Sequence, residues 1–242
     1  MSEKIIFRDQ EGILYIGLNK PEKLNALDED MWRGLTRILK GASEAKPIII
    51  YGVGKAFSAG DDIKMMFEYK DGGYIVNQLI KPLIEAILEY EMPVIAAVDG
   101  YAFGAGLEIL LLMDVVVSSP RSVFSVPEAR IGLIPPLMLS MGRDLPGLKR
   151  AVYLTLTGRR MDAEEAYRYG IVDIIDDDPL KKATEVAKEI MRIPRDTIMS
   201  IKRFTNTYRR ILYDERILDE LSRLMSSEEA LELMKRFLEK RL

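Results

Sequence analysis

Residues 94–108 read VIAAVDGYAFGAGLE, and they indicate the architecture more clearly than any other part of the 242-residue chain. Five apolar residues lead into a glycine-containing turn, and an apolar helix is predicted from about Ala105 to Met113. A strand without polar positions is typical of a parallel sheet that is buried on both faces. The stretch therefore predicts a strand, a turn and a helix within an α/β fold.

The same alternation of strands and helices recurs along the chain. Strands are predicted at 5–7, 13–18, 47–51, 115–117, 123–126 and 171–175, and helices from about 28, 78–90, 162–170, 180–192 and 196–213. After about residue 180 the sequence is almost wholly helical, with an apolar stripe that must pack on the core or on another subunit, formed by Leu218, Leu221, Leu224, Leu231, Met234 and Leu238. We therefore expect a core over residues 1–179 and a helical domain over residues 180–242.

Composition excludes several classes of function. The chain has no Cys and no His, which rules out disulfides and thiolate metal sites and removes most zinc and non-haem iron arrangements. A net charge of −3 does not suggest nucleic-acid binding, and the basic stretch 202–210 is interpreted as a solvated helix face. The most apolar run, 107–117, is interrupted by Glu108 and Asp114 and is too short to cross a bilayer. We expect a cytoplasmic protein with no metal, no nucleic-acid partner and no membrane partner.

Two turns made of small residues are candidates for binding a carbonyl oxygen. The first is Ser58-Ala59-Gly60-Asp61, where the N–H of Asp61 is free to point outward, and the second is Gly104-Ala105-Gly106. Two backbone N–H groups that converge on one point form an oxyanion hole, which stabilises negative charge on a carbonyl oxygen.

Two carboxylates accompany these turns. Glu108 lies in the first turn of an apolar helix, where burial would raise its pKa to a catalytically useful range. Glu128 follows a short strand and Pro127. Without His or Cys, acid–base chemistry must fall to carboxylates, Lys or Tyr. Asp114 is expected instead to form structural hydrogen bonds between a helix and a strand.

Several motifs in order resemble the crotonase, or enoyl-CoA hydratase/isomerase, superfamily. They are Asn19-Lys20-Pro21 through Asn25-Ala26-Leu27, the segment 56–63, the turn from Gly104 to Glu108, and Pro127-Glu128. The matches run from about residue 5 to residue 178, and residues 237–241 resemble the last helix of the family.

The resemblance implies a spiral of ββαβ units, a C-terminal helical domain used for trimerisation, and a homotrimer or dimer of trimers. It implies an acyl-CoA substrate, with coenzyme A as part of that substrate and no separate cofactor. The N–H groups of Asp61 and Ala105 would form the oxyanion hole, although family members often carry Gly at the position of Ala105. The remaining positions that it implies are Lys23, Leu24, Ala59, Asp61, Asp62, Ile63 and Lys240 for coenzyme A, and Met65, Pro135 and Leu137 for the acyl pocket.

The two carboxylates favour a hydratase, in which Glu108 activates water and Glu128 supplies the α-proton. A Δ3,Δ2-enoyl-CoA isomerase or another crotonase reaction is the alternative, since that branch keeps the position of Glu128 and lacks the one of Glu108. The apolar segment 136–141 departs from the glycine-rich segment of most hydratases and is expected to border the acyl pocket. A non-catalytic protein that binds RNA or a partner through the basic stretch is the remaining alternative.

Overall fold

The computed structural model describes residues 4–42 and 46–240. The strands of this part of the chain are β1 (Ile5–Gln10), β2 (Ile13–Leu18), β3 (Ile48–Gly52), β4 (Ala56–Ser58), β5 (Val94–Val98), β6 (Tyr101–Phe103), β7 (Val115–Ser118), β8 (Val123–Ser125), β9 (Met161–Asp162) and β10 (Ile174–Ile175). The helices are α1 (Glu29–Gly41), α2 (Ile63–Tyr69), α3 (Gly72–Ile75), α4 (Lys81–Glu89), α5 (Ala105–Glu108), α6 (Pro136–Met141), α7 (Leu148–Thr157), α8 (Ala163–Arg168), α9 (Pro179–Ile190), α10 (Arg195–Leu212), α11 (Glu215–Met225) and α12 (Glu228–Leu238).

Two sheets run side by side through the core. The larger has the order β1-β2-β3-β5-β7-β10 and is parallel except for the β1–β2 hairpin. The smaller has the order β4-β6-β8-β9 and is parallel except for its β8–β9 pair. Each of the pairs β3–β4, β5–β6 and β7–β8 gives one strand to each sheet before the chain turns back. This repeated passage forms the predicted spiral, and the α/β prediction is confirmed.

The helices that cover the sheets are capped by polar residues and pack through their apolar faces. Asp28 caps α1 as predicted, because its side chain accepts a hydrogen bond from the backbone N–H of Met31 at 3.2 Å. The residues from Ile109 to Met113 are all buried, as expected of a segment that is apolar on every side, but the α-helix predicted from Ala105 to Met113 ends at Glu108 and continues as a 3₁₀-helix over Ile109–Leu112. Helix α9 packs Ala183 and Ala187 against the larger sheet. The division of the chain at residue 180 stays a prediction.

Some boundaries differ from those predicted. The helix expected at 78–90 is α4, and a π-helical stretch, Val76–Ile80, joins it to α3, so the helical backbone begins earlier, at Gly72. A Cβ atom on Gly72 would lie 2.1 Å from the carbonyl oxygen of Ser222, so only glycine allows this approach. The strand expected at 171–175 pairs only at Ile174–Ile175, because the Asp173 side chain takes the N–H of Val116 next to the strand. Helices α2, α6 and α7 were not predicted.

The C-terminal stripe packs on the core of the same chain. Leu218 and Leu221 on α11 and Met234 on α12 are buried in the main hydrophobic core, whereas Leu238 is 39% exposed. Helix α11 packs against α3 and α6, and α12 packs against α2. Within the described residues, no helix has the length and apolar character needed to cross a membrane.

Candidate active site

The two predicted turns are in direct contact. A Cβ atom on Gly60, whose φ is +90°, would lie 3.2 Å from the backbone nitrogen of Ala105 and 2.7 Å from the carbonyl oxygen of Phe103. A Cβ atom on Gly106 would lie 2.6 Å from the carbonyl oxygen of Ser58. The absence of side chains at these two glycines is therefore what lets the first turn pack on the second.

Backbone hydrogen bonds fix the direction of the two amides. The carbonyl of Gly60 accepts from the N–H of Leu27 at 2.8 Å, and the two groups of a trans peptide point in opposite directions, so the Asp61 N–H points away from Leu27. The carbonyl of Gly104 accepts from Leu107 and Glu108 at 2.8 Å and 3.0 Å, which directs the Ala105 N–H outward from the start of α5. Within residues 4–42 and 46–240, neither amide donates a hydrogen bond. Both are available to a ligand.

Glu108 is buried and rigidly held. Its residue is 5% exposed, and Oε1 accepts hydrogen bonds from the backbone N–H groups of Leu137 and Met138 at 2.7 Å and 3.0 Å. Burial first, and the neighbouring Glu128 second, raise the pKa of Glu108 well above its ordinary value, while the two N–H groups oppose that rise. The apolar segment that was expected to border the pocket thus also orients this carboxyl group, since it forms α6.

Glu128 begins a short helical turn, Glu128–Ile131, directly after β8 and two further residues. Neither of its carboxylate oxygens contacts solvent or has a hydrogen-bond partner among the described residues. Burial raises the pKa of Glu128 to about 8, and the charge of Asp61 adds to the rise. Its Oε1 lies 3.0 Å from where a Cβ on Gly104 would be, which places the carboxyl group beside the second turn. Such a group is poised to exchange a proton near neutral pH.

The side chain of Asp61 is a third acid at this place, and sequence reasoning considered only its amide. Its Oδ1 accepts a hydrogen bond from the indole Nε1–H of Trp32 at 3.1 Å. Burial raises the pKa of Asp61 to about 7, Asp62 raises it further, and the Trp32 bond opposes the rise. The only signal in the sequence was an acidic residue at a turn of small residues.

Asp61, Glu108 and Glu128 line one narrow cavity. Its walls are otherwise mainly apolar and include α4, α6 and α11. The lining residues are Trp32, Asp61, Ile80, Ile84, Ala105, Glu108, Ile109, Glu128, Leu133, Ile134, Pro136, Leu137, Leu221 and Met225. Of the three residues expected in the acyl pocket, Leu137 lines this cavity, whereas Met65 and Pro135 are buried outside this lining, and their assignment to an acyl pocket stays a prediction. Leu221 and Met225, which belong to the C-terminal helices, were not predicted as pocket residues.

The segment expected to bind coenzyme A lies next to the first turn. The carbonyl of Leu24 accepts a hydrogen bond from the N–H of Ala59 at 2.9 Å. Leu24 has a φ of +51° and is 38% exposed, and the preceding residue, Lys23, is exposed as well. Asp62 caps α2, which begins at Ile63, and accepts from Lys20 Nζ at 2.9 Å. These contacts bring the predicted backbone positions together.

Lys240, the remaining residue of that prediction, is exposed just beyond the end of α12. Helix α12, which ends shortly before Lys240, packs against α2, the helix that begins at Ile63. Within the described residues, no ion pair or hydrogen bond joins its side chain to Lys23 or Asp62.

Asp114 has the structural role that was expected. It accepts hydrogen bonds from the backbone N–H of Val94 at 2.8 Å, from Lys202 Nζ at 2.6 Å and from Arg209 Nη1 at 2.8 Å. Lys202 is only 3% exposed. The basic stretch is therefore not simply a solvated helix face, because two of its cations point inward to bind Asp114.

Known proteins share both this sequence pattern and this fold. A sequence model of the enoyl-CoA hydratase/isomerase family matches residues 8–242. The chain belongs to that family. A probable enoyl-CoA hydratase of Rhizobium meliloti is 34% identical over 212 residues, which cover 84% of this chain and 81% of that protein. The crotonase resemblance is confirmed.

Other known proteins that resemble this chain share its fold, and their names cover several reactions. The crystal structure of an enoyl-CoA hydratase/isomerase from Mycobacterium paratuberculosis superimposes with a TM-score of 0.90 at 26% identity, covering 98% of this chain and 99% of that one. A 1,2-epoxyphenylacetyl-CoA isomerase of Escherichia coli is 29% identical over 218 residues, which cover 86% of this chain and 83% of that protein. Because the relatives carry the names of both hydratases and isomerases, family membership does not by itself fix the reaction.

Proposed function

We propose that this protein is an enoyl-CoA hydratase, which adds water reversibly across the C2–C3 double bond of an enoyl-CoA thioester. The observation that carries the proposal is the pair Glu108 and Glu128, two buried carboxyl groups on one cavity beside two free backbone amides. Hydration needs one group that takes a proton from water and one that gives a proton to carbon. Two coupled acids with raised pKa values suit that division, because one stays protonated while the other is ionised.

In this mechanism the thioester carbonyl binds to the N–H groups of Asp61 and Ala105. Glu108 removes a proton from water as the oxygen of the water forms a bond to C3. The electron pair of the C2–C3 double bond moves toward the carbonyl oxygen, where the two amides stabilise the developing charge. C2 then takes the proton of Glu128, and the proton held by Glu108 returns to Glu128 through solvent before the next turnover.

The hydrogen bonds of Glu108 support its role as the base. Leu137 and Met138 occupy Oε1, and no described residue donates to Oε2. One oxygen thus fixes the side chain while the other faces the cavity for water. Glu128 suits the acid because both of its carboxylate oxygens are buried without a hydrogen-bond partner among the described residues, which favours the neutral, protonated form.

The assay is loss of the conjugated thioester absorbance of crotonyl-CoA, followed with the wild type and Glu108→Gln. We expect wild-type turnover and a decrease of roughly 10²–10⁴-fold in the variant, the usual contribution of general acid–base catalysis. Gln keeps an oxygen that can accept from Leu137 and Met138, so the loss would report chemistry rather than packing. A variant with wild-type kcat would exclude Glu108 as the base.

A Δ3,Δ2-enoyl-CoA isomerase is the second candidate, because the family model that matches the chain covers enoyl-CoA isomerases as well as hydratases. Moving a double bond needs a single group, and Glu128 alone could provide it. A wild type that converts 3-hexenoyl-CoA but not crotonyl-CoA, with Glu108→Gln as active as the wild type, would replace the hydratase by this isomerase.

We also propose a homotrimer or a dimer of trimers, as the resemblance to the family implies. A row of exposed apolar side chains on α10 supports this assembly: Ile201, Phe204 and Ile211 are 54%, 75% and 73% exposed. Their spacing places them near one face of the helix, and soluble monomers rarely leave such a face uncovered.

A further inference from the structure

The proposed role of Asp61 in the oxyanion hole uses only its backbone amide and leaves its side-chain carboxyl group without a function. Asp61 lines the cavity together with Trp32, Ile80 and Ile84. The Trp32 indole donates to Oδ1 at 3.1 Å, and no residue of the described chain donates to Oδ2. Oδ2 thus has no protein hydrogen-bond partner among the described residues, and it belongs to a residue that lines a cavity whose other walls are mainly apolar.

An acyl group made only of carbon and hydrogen would fit this cavity poorly at that point. Filling the space next to Oδ2 with methylene groups would remove water from a carboxyl oxygen and supply no hydrogen bond in return. An acyl group with its own hydrogen-bond donor would satisfy the oxygen. A site that is built to bond a substrate hydroxyl discriminates against the analogue that lacks it.

We propose that Asp61 selects acyl groups that carry a hydroxyl group beyond the reacting carbons, with the hydroxyl donating to Oδ2 while Trp32 holds Oδ1. The inference rests on the proposed function, because it takes the acyl group of a CoA thioester to occupy this cavity. C2 and C3 meet Glu108 and Glu128 in the proposed reaction, so C4 is the first carbon that can carry such a hydroxyl. Asp61 then acts as a specificity-determining residue through its side chain and as an oxyanion donor through its backbone.

The raised pKa of Asp61 is compatible with this role. Burial brings that pKa to about 7, so at pH 8 the ionised form prevails and accepts a hydrogen bond from a neutral hydroxyl. The nearby Glu108 and Glu128 make the same wall unfavourable for an acyl group that ends in a carboxylate.

The test is the affinity of saturated thioesters, which need no turnover, measured by isothermal titration calorimetry at pH 8. The probes are 4-hydroxybutyryl-CoA, butyryl-CoA and 4-fluorobutyryl-CoA, the last of which is close to the hydroxyl compound in size but cannot donate. We expect the wild type to bind the hydroxyl compound about 10-fold to 100-fold more tightly than the other two, as for one hydrogen bond to a charged group. Asp61→Ala keeps the backbone amide and should abolish the preference, and Trp32→Phe should weaken it.

Asp9→Asn is the matched control, because it removes an exposed carboxylate from the edge strand β1 and should keep the wild-type preference. Equal affinity of the wild type for the three probes would overturn the inference, even if Asp61→Ala did not fold. An undiminished preference in Asp61→Ala would overturn it as well. If the wild type bound no CoA thioester, the proposed function would fail and this inference with it, whereas equal binding of all three would refute the inference alone.

Discussion

Replacing Gly60 by Ala would separate the two turns that supply the proposed oxyanion hole. The new Cβ would lie 2.7 Å from the carbonyl oxygen of Phe103, against at least 3.4 Å for an ordinary contact. The turn would therefore have to move by about 0.7 Å, and a displacement approaching 1 Å in an active site can cost about 10²-fold in rate. Because Ala105 N is the next atom in the way, at 3.2 Å, the movement would change the spacing of the two amides.

The backbone strain of this substitution has a matched control in Gly147→Ala. Gly60 and Gly147 have φ values of +90° and +95°, but a Cβ on Gly147 would meet nothing within 4 Å. Both variants should lose about 1–3 kcal/mol of folding free energy, the usual cost of such a conformation for a residue with a side chain. Only Gly60→Ala should also lose about 10²-fold in kcat/KM.

The assay is steady-state hydration of crotonyl-CoA at a temperature where both variants are folded, with unfolding followed by circular dichroism. Wild-type kcat/KM in Gly60→Ala would refute the reasoning that this contact sets the spacing of the amides. An equal loss of activity in Gly147→Ala would refute it too, because strain alone would then explain the effect.

Three further predictions concern stability and assembly. Asp114→Asn removes the carboxylate that pairs with the buried Lys202, so the folding free energy should fall by about 3 kcal/mol. Calorimetry should then show a Tm lower by about 6–12 °C, and an unchanged Tm would show that the pair is not stabilising. Because the folded pKa of Glu128, about 8, exceeds its ordinary value of 4.5, its protonation stabilises the fold at low pH and this contribution disappears as the pH rises to about 8. Glu128→Gln should therefore lose less Tm than the wild type between about pH 5 and about pH 8, and parallel curves would contradict the raised pKa. Phe204→Glu should convert an assembly of three or six 27.5 kDa chains into monomers by light scattering, and an unchanged mass would show that this face is not the interface.

Local patterns predicted the parts of the fold that depend on neighbouring residues. The apolar strand at 94–98 and the Asp28 cap of α1 matched the structure, because burial on both faces and capping are both encoded within a few positions. The turn at Gly104 and the start of α5 followed for the same reason.

Contacts between distant segments could not be predicted in this way. Trp32 and Asp61 are 29 positions apart, so nothing in either local pattern indicated that the indole would hold the carboxyl group. Leu221 and Met225 reach the cavity only because α11 packs against α3 and α6. Burial of Lys202 was missed because a run of basic residues on a helix usually faces solvent, and here Asp114 compensates for the burial of its charge.

The central claim is that Glu108 and Glu128 act on one substrate as a unit. The most direct test is kcat for hydration of crotonyl-CoA by Glu108→Gln, Glu128→Gln and the variant with both substitutions. Residues that act as a unit lose their contributions non-additively. The account predicts that each single substitution lowers kcat roughly 10²–10⁴-fold and that the double substitution is little worse than the more damaging single one. Wild-type kcat in either single variant, or losses that multiply in the double variant, would contradict it.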